Sequence, residues 1–229
     1  MAQKKCEIVK LKSGSEEERL YLINGINSYE DYGRWNIDTL NFPGEIHGLN
    51  WESTWEDWEI IKSGSVKDIL PNPVNFVIGY LEVCKRADEA GEFLSQKIKP
   101  SDKTFIYSHS MGTRAAFHCH KNFSNNDITV LLLNGALPHS KNNFNFLNNH
   151  KGINSKVVNY YNPSDHVLNV LRGIKLTIET ASALIPGLNS VVNKFSNVNK
   201  IIEFFDPIGL QHAETVHENY SLNELQGVG

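Results

Sequence analysis

Thr104-Phe105-Ile106-Tyr107-Ser108-His109-Ser110-Met111-Gly112-Thr113-Arg114-Ala115-Ala116-Phe117 is the stretch on which the reading of this chain turns. Thr104 to Tyr107 is apolar and β-rich, which predicts a strand; Thr113 to Phe117 predicts a helix. Between them stands small-x-Ser-x-Gly, the sequence form of a nucleophile elbow. In such an elbow a serine occupies a sharp turn with its hydroxyl exposed at the end of a sheet. Gly112 supplies the small residue two positions after the serine, and Ser108 occupies the position two before, where glycine is usual. A plain strand-to-helix turn would carry the same pattern, so the context has to decide. If Ser110 is a nucleophile, the rest of the chain must supply a base, an acid and an oxyanion hole.

Outward from this stretch, apolar β-rich runs alternate with helical patterns. Arg19-Leu20-Tyr21-Leu22-Ile23 reads as a buried strand closed by Asn24-Gly25, and Ser28-Tyr29-Glu30-Asp31 then reads as a capping box opening a helix. Glu45 to Asn50 is a short strand after the Pro43-Gly44 turn. Pro73 suits the first position of a helix. Val77, Tyr80, Leu81, Cys84, Ala87, Leu94 and Ile98 follow at helical spacing, and Pro100 closes that segment. Ile128 to Leu133 and Lys156 to Tyr161 are further strands. A helix is expected from Val167 to about Leu184, and Ile201 to Phe205 reads as a last strand. Continuous apolar strands alternating with helices indicate an α/β fold: a doubly wound, mostly parallel sheet with helices on both faces. In such sheets ligands bind beyond the carboxyl ends of the strands.

Composition bounds the function classes. A chain of 229 residues, 40% hydrophobic and 21% charged, fits one domain spanning 1–229. A net charge of −4 gives no basic surface for nucleic acid. No apolar run reaches the roughly 20 residues that span a bilayer. The polar start, Met1 to Glu7, does not resemble a secretory signal. Cys6, Cys84 and Cys119 are too few and too dispersed for a disulfide framework or a cysteine metal site, which fits reduced thiols in a cytoplasmic protein. His118 and His120, two apart on the helix after the elbow, fall on different faces and make no metal pair. No cofactor or metal is called for.

The acid should follow a later strand. Asp165, in Asn162-Pro163-Ser164-Asp165-His166-Val167, does so; it also suits a helix N-terminus, and the two roles are compatible. Asp206, after the last strand, is the competitor. The base should follow the last strand, where His212 and His217 stand; His217 is preferred because more loop is available for it to reach back to Ser110. The oxyanion hole needs two backbone N–H donors, each worth on the order of 3 kcal/mol when correctly placed. One is Met111, the residue after the serine. The other is Ile26, in the loop after an early strand, where Gly25 allows a close turn; a plain Asn-Gly turn is the bland alternative.

With Ser110, Asp165 and His217 in this order, the chain resembles the α/β-hydrolases, in their lipase and esterase branch. Ser108-His109-Ser110-Met111-Gly112 resembles the family's Gly-His-Ser-Met-Gly, and Ile23-Asn24-Gly25-Ile26 its His-Gly oxyanion turn, with Asn24 in place of histidine. The chain is short for the family, so the resemblance implies a compact version lacking an early strand or two. It implies a Ser-His-Asp hydrolase that cleaves a carboxylic ester through an acyl-enzyme. Its partner would be a small-molecule or lipid ester, with contact to a membrane surface left open. A thioesterase, a non-catalytic binding protein on the same fold and a phospholipase-type toxin effector exported without a signal peptide are the rival readings. Trp51, Trp55 and Trp58 follow a strand and belong either to the core or to the active-site rim. Residues 167–195 are an amphipathic cover on the sheet, or a lid. Both regions favour an apolar acyl group.

Overall fold

A computed structural model describes residues 6–63, 73–99, 102–122, 128–137 and 156–173. Six strands form one sheet: β1 (Glu7–Lys12), β2 (Ser15–Ile23), β3 (Gly44–Asn50), β4 (Lys103–His109), β5 (Ile128–Leu133) and β6 (Lys156–Tyr160). Their spatial order is β1-β3-β2-β4-β5-β6. Only β1 runs against its neighbour; every other pairing is parallel. The helices are α1 (Trp58–Ser63), α2 (Pro73–Lys97) and α3 (Gly112–Asn122), and residues 166–173 are also helical. The expected α/β sheet is therefore present, mixed and mostly parallel.

Alternation along the strands explains the layers. Tyr21 and Ile23 of β2, Ile106 of β4 and Ile128, Val130 and Leu132 of β5 point to one face. There they meet Tyr80, Cys84, Ala87 and Leu94 of α2 and Ala115, Ala116 and Cys119 of α3 in the main core, which also takes Ile61 of α1 and Leu168 and Leu171. Leu20, Leu22 and Ile46 point to the opposite face, under Tyr32, Trp35, Ile37, Leu40 and Phe42. Among the described residues that second face carries no α-helix. It is covered by the 24–43 connection, with one 3₁₀ turn at Gly33–Trp35. Helices on both faces thus remain an expectation for the residues beyond those described.

Two local expectations need correction. Ser28 to Asp31 does not open an α-helix. The Asn24 side chain captures the carbonyls of Ser28 (3.1 Å) and Asp31 (2.7 Å), and Glu30 turns left-handed at φ 60°, so the segment folds into turns. A strand also precedes the one at Leu20: β1, whose Ile8 and Val9 pair with Leu49 and Gly48 of β3. The helix expected from Val167 is seen for 166–173; the remainder to Leu184, the strand Ile201–Phe205 and the cover up to residue 195 lie outside the described residues.

The order of the strands also positions the site. From β2 the chain first moves outward to β3, then crosses back to add β4 on the other side of β2. The direction of winding therefore reverses between β2 and β4. At such a switch the loops leaving the two strands diverge and open a crevice beyond their carboxyl ends. The loop after β2 holds Gly25 and Ile26, and the turn after β4 holds Ser110.

Candidate active site

Ser110 sits between β4 and α3 at φ 51°, a left-handed conformation costly for any residue with a Cβ. The turn is held from both sides. The Ser110 amide donates to the Leu133 carbonyl at 2.9 Å, and the Ser110 carbonyl accepts from the amides of Thr113 and Ala136, both at 3.1 Å, and from the Thr113 hydroxyl at 2.6 Å. Among the described residues no group hydrogen-bonds to the Ser110 hydroxyl.

The residues around the serine fit the tightness of the turn. A Cβ on Gly112 would lie 2.5 Å from the Asn24 carbonyl oxygen, so α3 can start this close to the β2 end only with glycine there. A Cβ on Gly25 would lie 2.9 Å from the Ser110 Cβ and 3.3 Å from its Oγ. The backbone of the β2 loop thus comes directly against the serine. Ser108, in the position where glycine is usual, is fully buried and donates to the Leu131 carbonyl at 2.8 Å. Its hydroxyl has room and a partner, so the substitution is accommodated.

Asn24 ties down the loop that carries Ile26. Its Oδ1 accepts from the Trp35 indole at 2.7 Å, its own carbonyl accepts from the Trp51 indole at 3.0 Å, and its amide nitrogen holds the two carbonyls already described. Asn27, at φ 53°, pairs its side chain with both backbone groups of Trp55. Among the described residues no hydrogen bond engages the backbone N–H of Ile26 or of Met111. Ile26 is buried and lines the cavity beside Ser110; the Met111 side chain goes into the core against Cys84.

A cavity of about 370 Å³ opens at this point. Ser110, Gly25 and Ile26 line it together with Asp165, Asn134 and His109. Asp165 caps the helix at 166–173: one carboxylate oxygen accepts the Leu168 amide at 2.9 Å and the other the Asn134 side chain at 3.0 Å. Asn134, at φ 45° after β5, is itself anchored by its amide to the Tyr160 carbonyl at 3.0 Å. The helix-capping and acid readings of Asp165 are thus compatible, with one of its oxygens shared toward the cavity wall.

Of the residues expected from sequence, Ser110, Ile26 and Asp165 line one cavity, with Met111 next to Ser110. His217, His212 and Asp206 lie outside the described residues. Trp51 and Trp55 are core: Trp55 packs on Phe76 and Tyr80 at 4.9 and 5.4 Å between ring centroids. Trp58 instead lines the cavity, so the tryptophan run serves both ends of its dual reading.

Sequence reasoning passed over Arg34, His109, Asn134 and Lys62, which also line the cavity. Arg34 donates to the Ser28 hydroxyl at 3.1 Å and approaches Asp31 at 3.5 Å and His109 Nδ1 at 3.4 Å. Burial, then the Arg34 charge, lowers the His109 pKa from its usual 6.5 to about 4. His109 is therefore neutral at pH 7. With Nδ1 facing the guanidinium, its proton belongs on Nε2. The signal for Asn134 was the Asn134-Gly135 pair after the clearest strand; nothing near Arg34 in sequence marks it.

Among the described residues no three His, Cys, Asp or Glu side chains form a metal-ligand set, and no helix is long and apolar enough to cross a membrane. The three cysteines are free thiols, two of them buried. Family models, curated proteins and solved structures yield no match to this chain.

Proposed function

We propose that this protein is a serine hydrolase that cleaves a carboxylic ester. One observation carries the reading: a serine at positive φ between a central parallel strand and a helix, its hydroxyl unengaged among the described residues, on a cavity at the sheet's switch point. A strained non-glycine backbone held by four hydrogen bonds is a costly way to build a plain turn.

In this mechanism the Ser110 hydroxyl attacks the acyl carbonyl while an imidazole takes its proton. His217 is the proposed base and Asp165 the group that orients it and stabilises the imidazolium. The N–H groups of Met111 and Ile26 receive the negative charge that develops on the carbonyl oxygen. The imidazolium then protonates the leaving alcohol, and water, activated by the same base, releases the acid from the acyl-enzyme.

Turnover of p-nitrophenyl butyrate tests this. Wild type is expected to release p-nitrophenolate, with kcat/KM reduced about 10³-fold or more in Ser110→Ala and in Asp165→Asn. Turnover equal in wild type and Ser110→Ala contradicts the proposal. No turnover by wild type on short, long and thiol esters favours the non-catalytic binding reading.

A further inference from the structure

We infer that the ester this site accepts carries a negative charge, recognised by Arg34. This rests on the hydrolase reading for the word ester, but the binding claim has its own test. Arg34 lines the same cavity as Ser110. It is set there by the fold, since the adjacent Trp35 locks its indole onto Asn24, next to Gly25 and Ile26. The 3₁₀ turn at Gly33–Trp35 is thus fixed to the loop that faces the serine.

Ser28 and Asp31 face the Arg34 Nη2 and His109 faces Nη1, which leaves the Nε–H and one Nη1 N–H for a ligand. Ser28 and His109 are neutral. Asp31, which also lines the cavity, lies 3.5 Å from the guanidinium; with the Arg34 and Asp31 side chains 40% and 59% exposed, it compensates the charge weakly. Among the described residues the Nε–H has no acceptor. Lys62 adds a second positive charge to the wall; its partner, Glu59, is 76% exposed on the solvent side of α1. Asp165, the second acid of the lining, already accepts from Asn134 and Leu168. The remaining N–H groups can donate charge-assisted hydrogen bonds to a carboxylate or phosphate oxygen. The cavity also offers Ile26, Trp58, Val167 and Leu168, enough apolar wall for a short chain. The fitting ligand is therefore a short-chain ester with an oxyanion at its far end.

Two readouts test this. In the first, kcat/KM is measured for the p-nitrophenyl monoester of glutaric acid and for p-nitrophenyl butyrate. Wild type is expected to favour the anionic ester, and that preference is expected to fall about tenfold in Arg34→Met and to recover in part in Arg34→Lys. A preference unchanged in both variants overturns the inference. The second readout needs no catalysis: calorimetric binding of monoethyl glutarate to Ser110→Ala, expected to weaken about tenfold when Arg34→Met is added. Competition by glutarate assigns a carboxylate, competition by inorganic phosphate assigns a phosphate, and competition by neither overturns the inference. If wild type turns over no ester yet Ser110→Ala binds the anion through Arg34, the hydrolase reading fails and the anion site stands.

Discussion

Ser110 and His109 are adjacent, and each is held in a state it would not choose in solution. For Ser110 that state is a backbone conformation. Replacing the serine by glycine removes the Cβ penalty, whereas alanine keeps it. Ser110→Gly is therefore expected to be more stable than Ser110→Ala by about 1 kcal/mol, read as a shift in urea midpoint. Equal midpoints would show that the turn stores no strain. For His109 that state is neutrality at a pH between about 4 and 6.5, where a free imidazole would be charged. The unfolded chain takes up this proton near 6.5 and the folded chain only near 4. Between those values the unfolded state binds more protons, so stability is full above about 6.5 and declines as pH falls toward 4. His118, lowered by burial against the opposing pull of Asp88, adds slope in the same direction. His109→Asn is expected to make the decline shallower; an unchanged slope would contradict the His109 assignment.

The elements place these residues, and their legibility was uneven for physical reasons. Ile128 to Leu133 is buried on both faces, so it shows as a nearly continuous apolar run, interrupted only by the β-branched Thr129. β1, an antiparallel edge strand, reads Glu7-Ile8-Val9-Lys10-Leu11-Lys12, its apolar residues broken up by lysines. Three of its six residues are apolar, against five of six in β5, and it was missed. Ser28 to Asp31 carried a helix-start pattern, but pattern lost to the Asn24 side chain, a contact the local sequence does not announce. α2 and α3 were legible as helices, yet their mutual contact was not. It depends on Gly91, where a Cβ would run into the Ala115 carbonyl, and on Arg114, which is buried and forks onto Asp88 at 2.9 and 2.6 Å. Gly91→Ala is expected to push α2 off α3 and cost about 1–3 kcal/mol by thermal or urea unfolding. A cost below about 0.5 kcal/mol would show that the helices do not meet there as described.

At the scale of the whole molecule the site is assembled from distant parts of the chain. The loop after β2 supplies Ile26, the turn after β4 supplies Ser110, and the turn after β6 supplies Asp165. Sequence could rank these because each follows a recognisable strand end. Arg34 stayed hidden because it is 75 positions from His109 and is brought there by chain closure alone. The proposed base belongs to the C-terminal stretch, so His217→Ala is expected to lose ester turnover by about 10³-fold while His212→Ala keeps most of it. The reverse result would exchange the two histidines without disturbing Ser110. The central claim is that Ser110 is a nucleophile. Its most direct test is covalent labelling of the intact protein by a fluorophosphonate, followed by peptide mass mapping. One adduct is expected, on Ser110, in wild type and none in Ser110→Ala. No adduct in wild type, or equal labelling of the two proteins, would contradict it.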